Sequence, residues 1–480
     1  MDRAISQLEI DEITQKYGLS ERSAHNVVRG HPWDKVEAMQ ANVWTPENPE
    51  GLISLGVAEN TLFQHEIGTY IKNSIAISPN DHLGYGVGPR GSPRLRKALA
   101  SFFNSEFRSH DPVRDTDVLI LPGVISVLDS LTWSICNENE GIIVPMPFYT
   151  GFKPAVQERS RGVLIPAAFQ SLEGYQSLDD VFSPKMNQLA LESALRKAVS
   201  DGVKVRAVLI SNPHNPLGRC YPAETLREIA RFCGSNNLHL ISDEIFAKSV
   251  YENPRASHIM PFTSVVSLDL SDCIARHLVH VAYGVGKDFC ASGLRIGVLL
   301  SRNDGLISAV SSISVFEWVP YLTQNAWAEM LEDDHFLAAF NAKNAQVLAE
   351  RCAIALTFLE QHNVPYYHNA NAGTFLWIDL RRYLHNSDKQ ETGSNLSTSM
   401  SPLSNLESYR YRETELFKRC LERGVGISPG SSFYTEELGW FRICFAVEKQ
   451  ALYTGLQRLL SQTSRQAATF GYPGSRARVN

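Results

Sequence analysis

An α/β fold is predicted, with a large domain on a mostly parallel sheet flanked by helices and a smaller α/β domain toward the C-terminus. Three observations predict it. Short β-branched runs alternate with amphipathic stretches through the middle of the chain, the pattern of crossover units. One such unit is complete: an apolar run at 205–210, the turn-rich SNPHNPLG at 211–218, a helical period carried by Leu226, Ile229, Ala230 and Cys233, and an apolar return at 238–242. About 28 residues separate the two runs, enough for a right-handed crossover helix. After about residue 330 the pattern changes to a long amphipathic segment, then GTFLWIDL at 373–380 and WFRICF at 440–445, which read as strands of the second domain.

The remaining elements follow in order. Ser92-Pro93 opens a helix by cap and first-turn proline, with Leu95, Leu99, Phe102 and Phe103 on one face. Further strands are expected at 118–121, 141–144, 280–283 and 296–300, each ending in a turn with polar or glycine residues. Ligands of open α/β sheets bind outside such carboxyl ends. Gly234 supplies a stop for the helix that begins at Pro222. The Ser/Asn/Thr/Gly-rich tract 385–404 reads as a surface insertion, and 462–480 as a frayed, disordered tail.

Of 480 residues, 44% are hydrophobic and 20% charged, which excludes a disordered or collagen-like chain. A net charge of −6 offers no basic field for a polyanion, so nucleic acid is not an expected partner. No apolar run approaches the ~20 residues needed to span a bilayer, so no membrane partner is expected. The N-terminal MDRAISQLEIDEITQKYG lacks the apolar core of a secretory signal, and a cytoplasmic location is expected. Eight cysteines without a CxxC and 14 histidines without HExxH give no metal site. Gly86-Val-Gly-Pro-Arg-Gly91 satisfies GxGxxG, but polar turn residues precede it where a buried strand belongs, and Pro89 sits inside the loop.

Chemistry concentrates at three strand ends: Asn215 in SNPHNPLG, Asp243 in ISDEIF and Lys287 in AYGVGKDFCASGLRIG. An amide, a carboxylate and an isolated lysine after successive strands suit a ligand with a phenolic oxygen, a basic ring nitrogen and an aldehyde. Pyridoxal 5'-phosphate has all three, and an enzyme holds it through a lysine Schiff base with an acid against the pyridinium. Lys287 follows an apolar strand and has Gly284 and Gly286 beside it, which permit close approach of a flat ring.

From about Leu52 to Leu460 the sequence resembles the class I/II aminotransferases, fold-type-I pyridoxal-phosphate enzymes, and especially the branch similar to 1-aminocyclopropane-1-carboxylate synthase. The motifs that carry the resemblance are GVAEN at 56–60, LGYG followed by PRGSPRLRKALASFF, PFYTGF at 147–152, NPHNPLG, SDEIF, the lysine segment, NAGTFLWIDL and GWFRICFA. The resemblance implies residues 1–50 as an N-terminal arm and segment of the small domain, 51–330 as the large cofactor domain, and 331–461 as the small domain carrying the insertion.

It also implies roles. Lys287 forms the imine with the cofactor and moves the substrate α-proton. Asp243 keeps the ring nitrogen protonated, Asn215 donates to the ring phenolic oxygen, and Tyr149 lies against the ring face. Arg295 and the turn bearing Val124, Ile125 and Ser126 bind the phosphate. Tyr85 reaches the neighbouring subunit's phosphate, which implies a homodimer with shared active sites. Arg442 takes the α-carboxylate of an amino-acid-type substrate, and Glu59 is a substrate-side acid of the synthase branch.

The pattern departs from the family at three places. Phe246 stands where a tyrosine donating to the phenolic oxygen is common, and Gly284 and Gly286 stand where serines are common. These changes point to an altered pocket. Transamination is the first expectation. A lyase reaction stands beside it: β- or γ-elimination, carbon–sulfur cleavage or synthase-like ring closure. A catalytically inactive relative with a binding or regulatory role is the third possibility, and retention of Lys287 argues against it.

Overall fold

Seven apolar runs pair into one sheet in the computed structural model, which describes residues 6–29, 37, 41–384 and 402–461. They are β1 (Val118–Leu121), β2 (Gly141–Pro145), β3 (Val163–Ala167), β4 (Val205–Ser211), β5 (His239–Asp243), β6 (Val279–Gly284) and β7 (Gly297–Ser301). Their order is β1-β7-β6-β5-β4-β2-β3. β7 runs against both its neighbours, and the other pairs are parallel. The sequence pattern anticipates six of the seven to within a residue or two. β3 escapes it because Pro166 breaks the strand signature. That proline is tolerated because β3 is an edge strand whose outer side has no ladder to complete.

Parallel strands put their carboxyl ends along one edge. Ser211 at the end of β4 is level with Asp243 at the end of β5, and Asp243 with Ala282 near the end of β6. The strands are buried on both faces, with Leu119, Ile142, Leu209, Ile241, Ala282 and Leu299 in one continuous core. Burying a leucine or isoleucine side chain contributes about 1.5–3 kcal/mol each, so this core fixes the relative heights of the strand ends.

Local signals start the helices as expected. Ser92 caps Pro93–Ser105, its hydroxyl accepting from the Leu95 N–H at 3.1 Å, and the predicted face of Leu95, Leu99, Phe102 and Phe103 is buried. Gly234 does not act as a stop. The helix runs over Ala223–Ser235, and a Cβ at Gly234 would stand 2.0 Å from the Cys273 carbonyl oxygen, so the glycine lets a neighbouring backbone pass.

The second sheet is antiparallel: β8 (Phe375–Asp379), β9 (Ser428–Pro429) and β10 (Trp440–Cys444), in the order β9-β10-β8. Arg442 at the centre of β10 pairs with Trp377 on one side and Ser428 on the other. Helix Asp334–Gln361, capped by Asp333, precedes β8. Of the expected insertion, 385–401 lies outside the described residues, and Pro402 already begins helix Pro402–Glu422. The expected tail at 462–480 also lies outside them.

Both sheets belong to one compact unit that begins at Ser54. Met1–Ile53 is a separate unit, whose helix Gln7–Tyr17 carries a reciprocal Ser6–Glu9 capping box and ends on Gly18 at φ 66°. Among the described residues no helix is long and apolar enough to cross a membrane.

Candidate active site

A cavity of about 520 Å³ opens at the carboxyl ends of β4, β5 and β6, and Asn215, Asp243, Lys287, Tyr149, Arg295, Val124, Ile125 and Arg442 line it. Eight of the eleven expected site residues therefore meet in one place. The other three do not line it. Ser126 turns its hydroxyl back to the Pro122 carbonyl at 3.2 Å. Glu59 sits one residue behind the wall formed by Ala58 and receives a hydrogen bond from Ser292, which does line the cavity. Tyr85 is 85% exposed, its ring 5.7 Å from that of Trp318.

Asp243 ends β5 buried, accepting the Ile245 N–H at 3.3 Å. Burial pushes its carboxyl up to about 7, and that N–H and the Lys287 ammonium act in the opposite direction. Lys287 follows β6 on the one-turn segment Val285–Asp288. Burial lowers its amine below the ordinary lysine value, and the nearby Glu59 carboxylate partly restores it. A second buried acid follows each of these residues. Glu244 accepts from Ser242 at 2.9 Å, Ser264 at 2.5 Å and the Val265 N–H at 3.0 Å. Asp288 accepts from Ser249 at 2.7 Å, the Lys248 N–H at 2.8 Å and Tyr283 at 3.0 Å. These bonds pin the two turns to each other and to the interior, so Asp243 and Lys287 are presented from fixed backbones.

Helix Val124–Ile135 points its N-terminus at the same cavity, and no side chain caps it. Gly123 precedes it at φ 87°, and a Cβ there would lie 2.6 Å from Arg295 Nη2. A guanidinium beside uncapped helical N–H groups suits a phosphate dianion.

Arg442 projects from β10 between two rings, its guanidinium 5.1 Å from the Phe375 centroid and 4.7 Å from that of Phe433. Nη1 donates to Asn215 Oδ1 at 3.0 Å and Nη2 to the Gly56 carbonyl at 2.7 Å. Nε is buried without a partner, and burial lowers the guanidinium to about 10. It is a cation with donors to spare, suited to a carboxylate arriving in the cavity.

The departures have structural reasons. Phe246 is buried edge-on against Phe375, with ring centroids 5.3 Å apart, and brings no donor to the cavity. A Cβ at Gly284 would stand 2.7 Å from the Ile296 carbonyl oxygen, so β7 passes too close for a serine. Gly286 is less crowded, with Ser292 Cα at 3.3 Å. Ser292, Phe417, Ile427 and Phe433 also line the cavity without having been foreseen. Ser292 follows Lys287 by five positions in the same segment, a spacing that carries no sequence signal.

The residues present fit pyridoxal phosphate. A phosphate-sized charge would meet Arg295 and the bare helix terminus, a ring nitrogen Asp243, a ring oxygen Asn215, and an aldehyde an amine whose proton affinity is already depressed. Among the described residues no group of His, Cys, Asp and Glu could hold a metal ion.

Comparison with known proteins agrees. The family model for aminotransferases of class I and II matches residues 50–459. A 1-aminocyclopropane-1-carboxylate synthase of Glycine max is 30% identical over 439 residues, covering 89% of this chain and 84% of its own. 1-Aminocyclopropane-1-carboxylate synthase 3 of Oryza sativa subsp. japonica is 33% identical over 428 residues, covering 86% and 87%. Among solved structures, the aspartate aminotransferase of Thermus thermophilus with maleate has the same fold, with a TM-score of 0.67 at 20% identity, covering 96% of this chain and 100% of its own. The chain belongs to the class I and II aminotransferase family, in the branch similar to the 1-aminocyclopropane-1-carboxylate synthases, and is a pyridoxal-phosphate-dependent enzyme.

Proposed function

We propose that the enzyme binds an α-amino acid by its α-carboxylate at Arg442, that Lys287 removes the α-proton, and that a leaving group then departs from the substrate side chain, a lyase reaction. Bound pyridoxal phosphate supplies the electron sink for the α-carbon. Lys287 is the residue it would join, Asp243 and Asn215 would hold its ring nitrogen and ring oxygen, Tyr149 would pack against the ring, and Arg295 with the Val124 and Ile125 N–H groups would hold its phosphate. Arg442 fixes which α-hydrogen faces the lysine, because two-point binding of a carboxylate leaves little rotational freedom.

The observation that carries this reading is the distribution of charge around the cavity. Its lining cations are Lys287, Arg295 and Arg442, and all three are accounted for by cofactor, phosphate and α-carboxylate. Of the rest of the lining, Val57, Ala58, Phe417, Ile427 and Phe433 are apolar, Thr150, Ser292, Ser428 and Ser432 bring neutral hydroxyls, and the acid Glu59 stands behind Ala58, bonded to Ser292. Such a wall favours a neutral or cationic side chain over a second carboxylate. The relatives named for forming 1-aminocyclopropane-1-carboxylate support a reaction at the side chain. Transamination shares the first step, and the family match to class I and II aminotransferases keeps it as the second reading.

Product analysis tests both. Holoenzyme is incubated with neutral amino acids, cysteine conjugates and a sulfonium amino acid. Ammonia with a keto acid, a released thiol or a cyclised amino acid supports the lyase reading. A keto acid with stoichiometric aminated cofactor supports transamination. Borohydride trapping must place the cofactor on Lys287, and Lys287→Ala must abolish both the adduct and the turnover.

The second copy is also a proposal. Leu83, Tyr85 and Val87 are exposed on one loop, and Val315 and Phe316 on another, and the two loops are joined by the Tyr85–Trp318 contact and by a bond from the Val87 N–H to the Tyr321 hydroxyl at 3.2 Å. A surface this apolar suits burial against another subunit, with Tyr85 completing that subunit's phosphate site.

A further inference from the structure

Of the polar side chains in the lysine segment that neither the cofactor nor the substrate reading uses, Ser292 is the one that lines the cavity. It lies five positions after Lys287, on the turn Ser292–Leu294. That turn is pressed against the lysine turn, with Ser292 Cα 3.3 Å from where a Cβ on Gly286 would be. The Ser292 carbonyl accepts from Arg295 Nη1 at 3.0 Å, and its hydroxyl donates to Glu59 Oε1. One residue therefore joins the phosphate arm, the lysine turn and the substrate-side acid.

Glu59 is held at its backbone as well. Its N–H donates to the Val57 carbonyl at 2.9 Å, and its carbonyl accepts from the Cys444 thiol at 3.4 Å. The backbone leaves the carboxylate several rotamers, and the bond from the Ser292 hydroxyl selects among them. The choice matters because of what surrounds the amine. The titratable groups that act on it are Arg442 and Cys444 on β10, Arg295 on the turn before β7, Asp243 at the end of β5 and Glu59 on the loop after Ser54. Two arginines oppose a protonated amine there, and Glu59 is the foremost of the charges that favour one.

We propose that Ser292 is a positioning residue for Lys287: its hydroxyl fixes the orientation of the Glu59 carboxylate and so sets the charge the amine meets when it moves a proton. This rests on the reading of Lys287 as the proton-moving base. In the step itself the amine takes the α-proton and becomes an ammonium, and Glu59 offsets the charge gained without exchanging a proton. A serine hydroxyl is a neutral donor, so its removal leaves the net charge of the pocket unchanged and lets the carboxylate turn away.

The test compares Ser292→Ala, Ser292→Thr, Glu59→Gln and the double variant Ser292→Ala/Glu59→Gln. Two readouts are taken: the pH dependence of kcat/KM, and the pH dependence with which an acylating reagent labels the Lys287 amine in cofactor-free protein. Ser292→Ala and Glu59→Gln should each lower the labelling midpoint, by about half to one pH unit for loss of a nearby opposite charge. Ser292→Thr, which keeps the hydroxyl, should restore it, and the double variant should move no further than Glu59→Gln alone. A Ser292→Ala midpoint equal to wild type while Glu59→Gln shifts would overturn the proposal, as would additive shifts in the double variant or failure of Ser292→Thr to restore. If Lys287→Ala still traps cofactor with borohydride, the reading of the lysine fails instead, and that failure is separate.

Discussion

Arg442 donates to Asn215 Oδ1 at 3.0 Å across 227 positions of sequence, joining the antiparallel sheet to the end of β4. The bond makes the proposed carboxylate anchor and the proposed ring-side amide one assembly. With Oδ1 occupied, the Asn215 amide nitrogen is the part free to donate into the cavity, which is the polarity that a ring oxygen requires. A disturbance of either residue therefore reaches both ends of the ligand.

Arg442→Lys keeps the charge and loses the fork. kcat/KM is expected to fall ~10²-fold or more, about 3 kcal/mol, chiefly through KM. Steady-state kinetics checks it, and the loss should combine less than additively with that of Asn215→Ala.

Two glycines are expected to resist substitution in different ways. Gly123→Ala places a Cβ 2.6 Å from Arg295 Nη2 at a backbone φ of 87°, so cofactor affinity should weaken, with a cost of ~1–3 kcal/mol. Gly284→Ser meets the Ile296 backbone at 2.7 Å and should lower stability before it affects binding. Cofactor titration and thermal melting separate the two.

Phe246→Tyr supplies a hydroxyl in a ring that already lines the cavity. A donor to the ring oxygen stabilises its charge, so the pH midpoint of the bound cofactor's absorbance should fall by about one unit. A spectrophotometric titration of the holoenzyme measures it.

At the opposite end of β6 the buried His280 ring bonds His239 at 2.9 Å and Ser301 at 2.9 Å, and burial holds His280 well below its ordinary value. The folded imidazole stays neutral where the unfolded one, near 6.5, takes a proton, so its contribution to stability is full above that pH and is lost as pH falls. The stability advantage of wild type over His280→Gln should therefore shrink by about 1.4 kcal/mol for each pH unit below ~6.5. Urea melts at pH 8 and pH 5 test the sign.

If Tyr85 completes the partner's site, Lys287→Ala and Tyr85→Ala proteins, each inactive alone, should regain about a quarter of wild-type activity when mixed and allowed to exchange subunits. Recovery of none under conditions where exchange is demonstrated would separate Tyr85 from the partner's pocket.

The strands that carry the chemistry were legible because parallel, doubly buried strands are continuous apolar runs, and residues just past them are placed by the sheet itself. Asn215, Asp243 and Lys287 are of this kind. Arg442 was legible by resemblance, as it sits mid-strand, where nothing local distinguishes it from a salt-bridging arginine. What escaped was fixed by tertiary approach. Gly234 serves the Cys273 backbone rather than the end of its helix, and Ser292 matters because of a glutamate 233 positions earlier. No periodicity encodes a contact of that span.

Arg442, the proposed anchor, lies on β10, the last strand of the chain to be synthesised among those described. All seven strands of the large sheet precede it in the chain, and so do Asn215, Asp243, Lys287 and Arg295. The proposed substrate grip is therefore the last of the cavity-lining groups to be added to the growing chain, after every residue proposed to hold the cofactor.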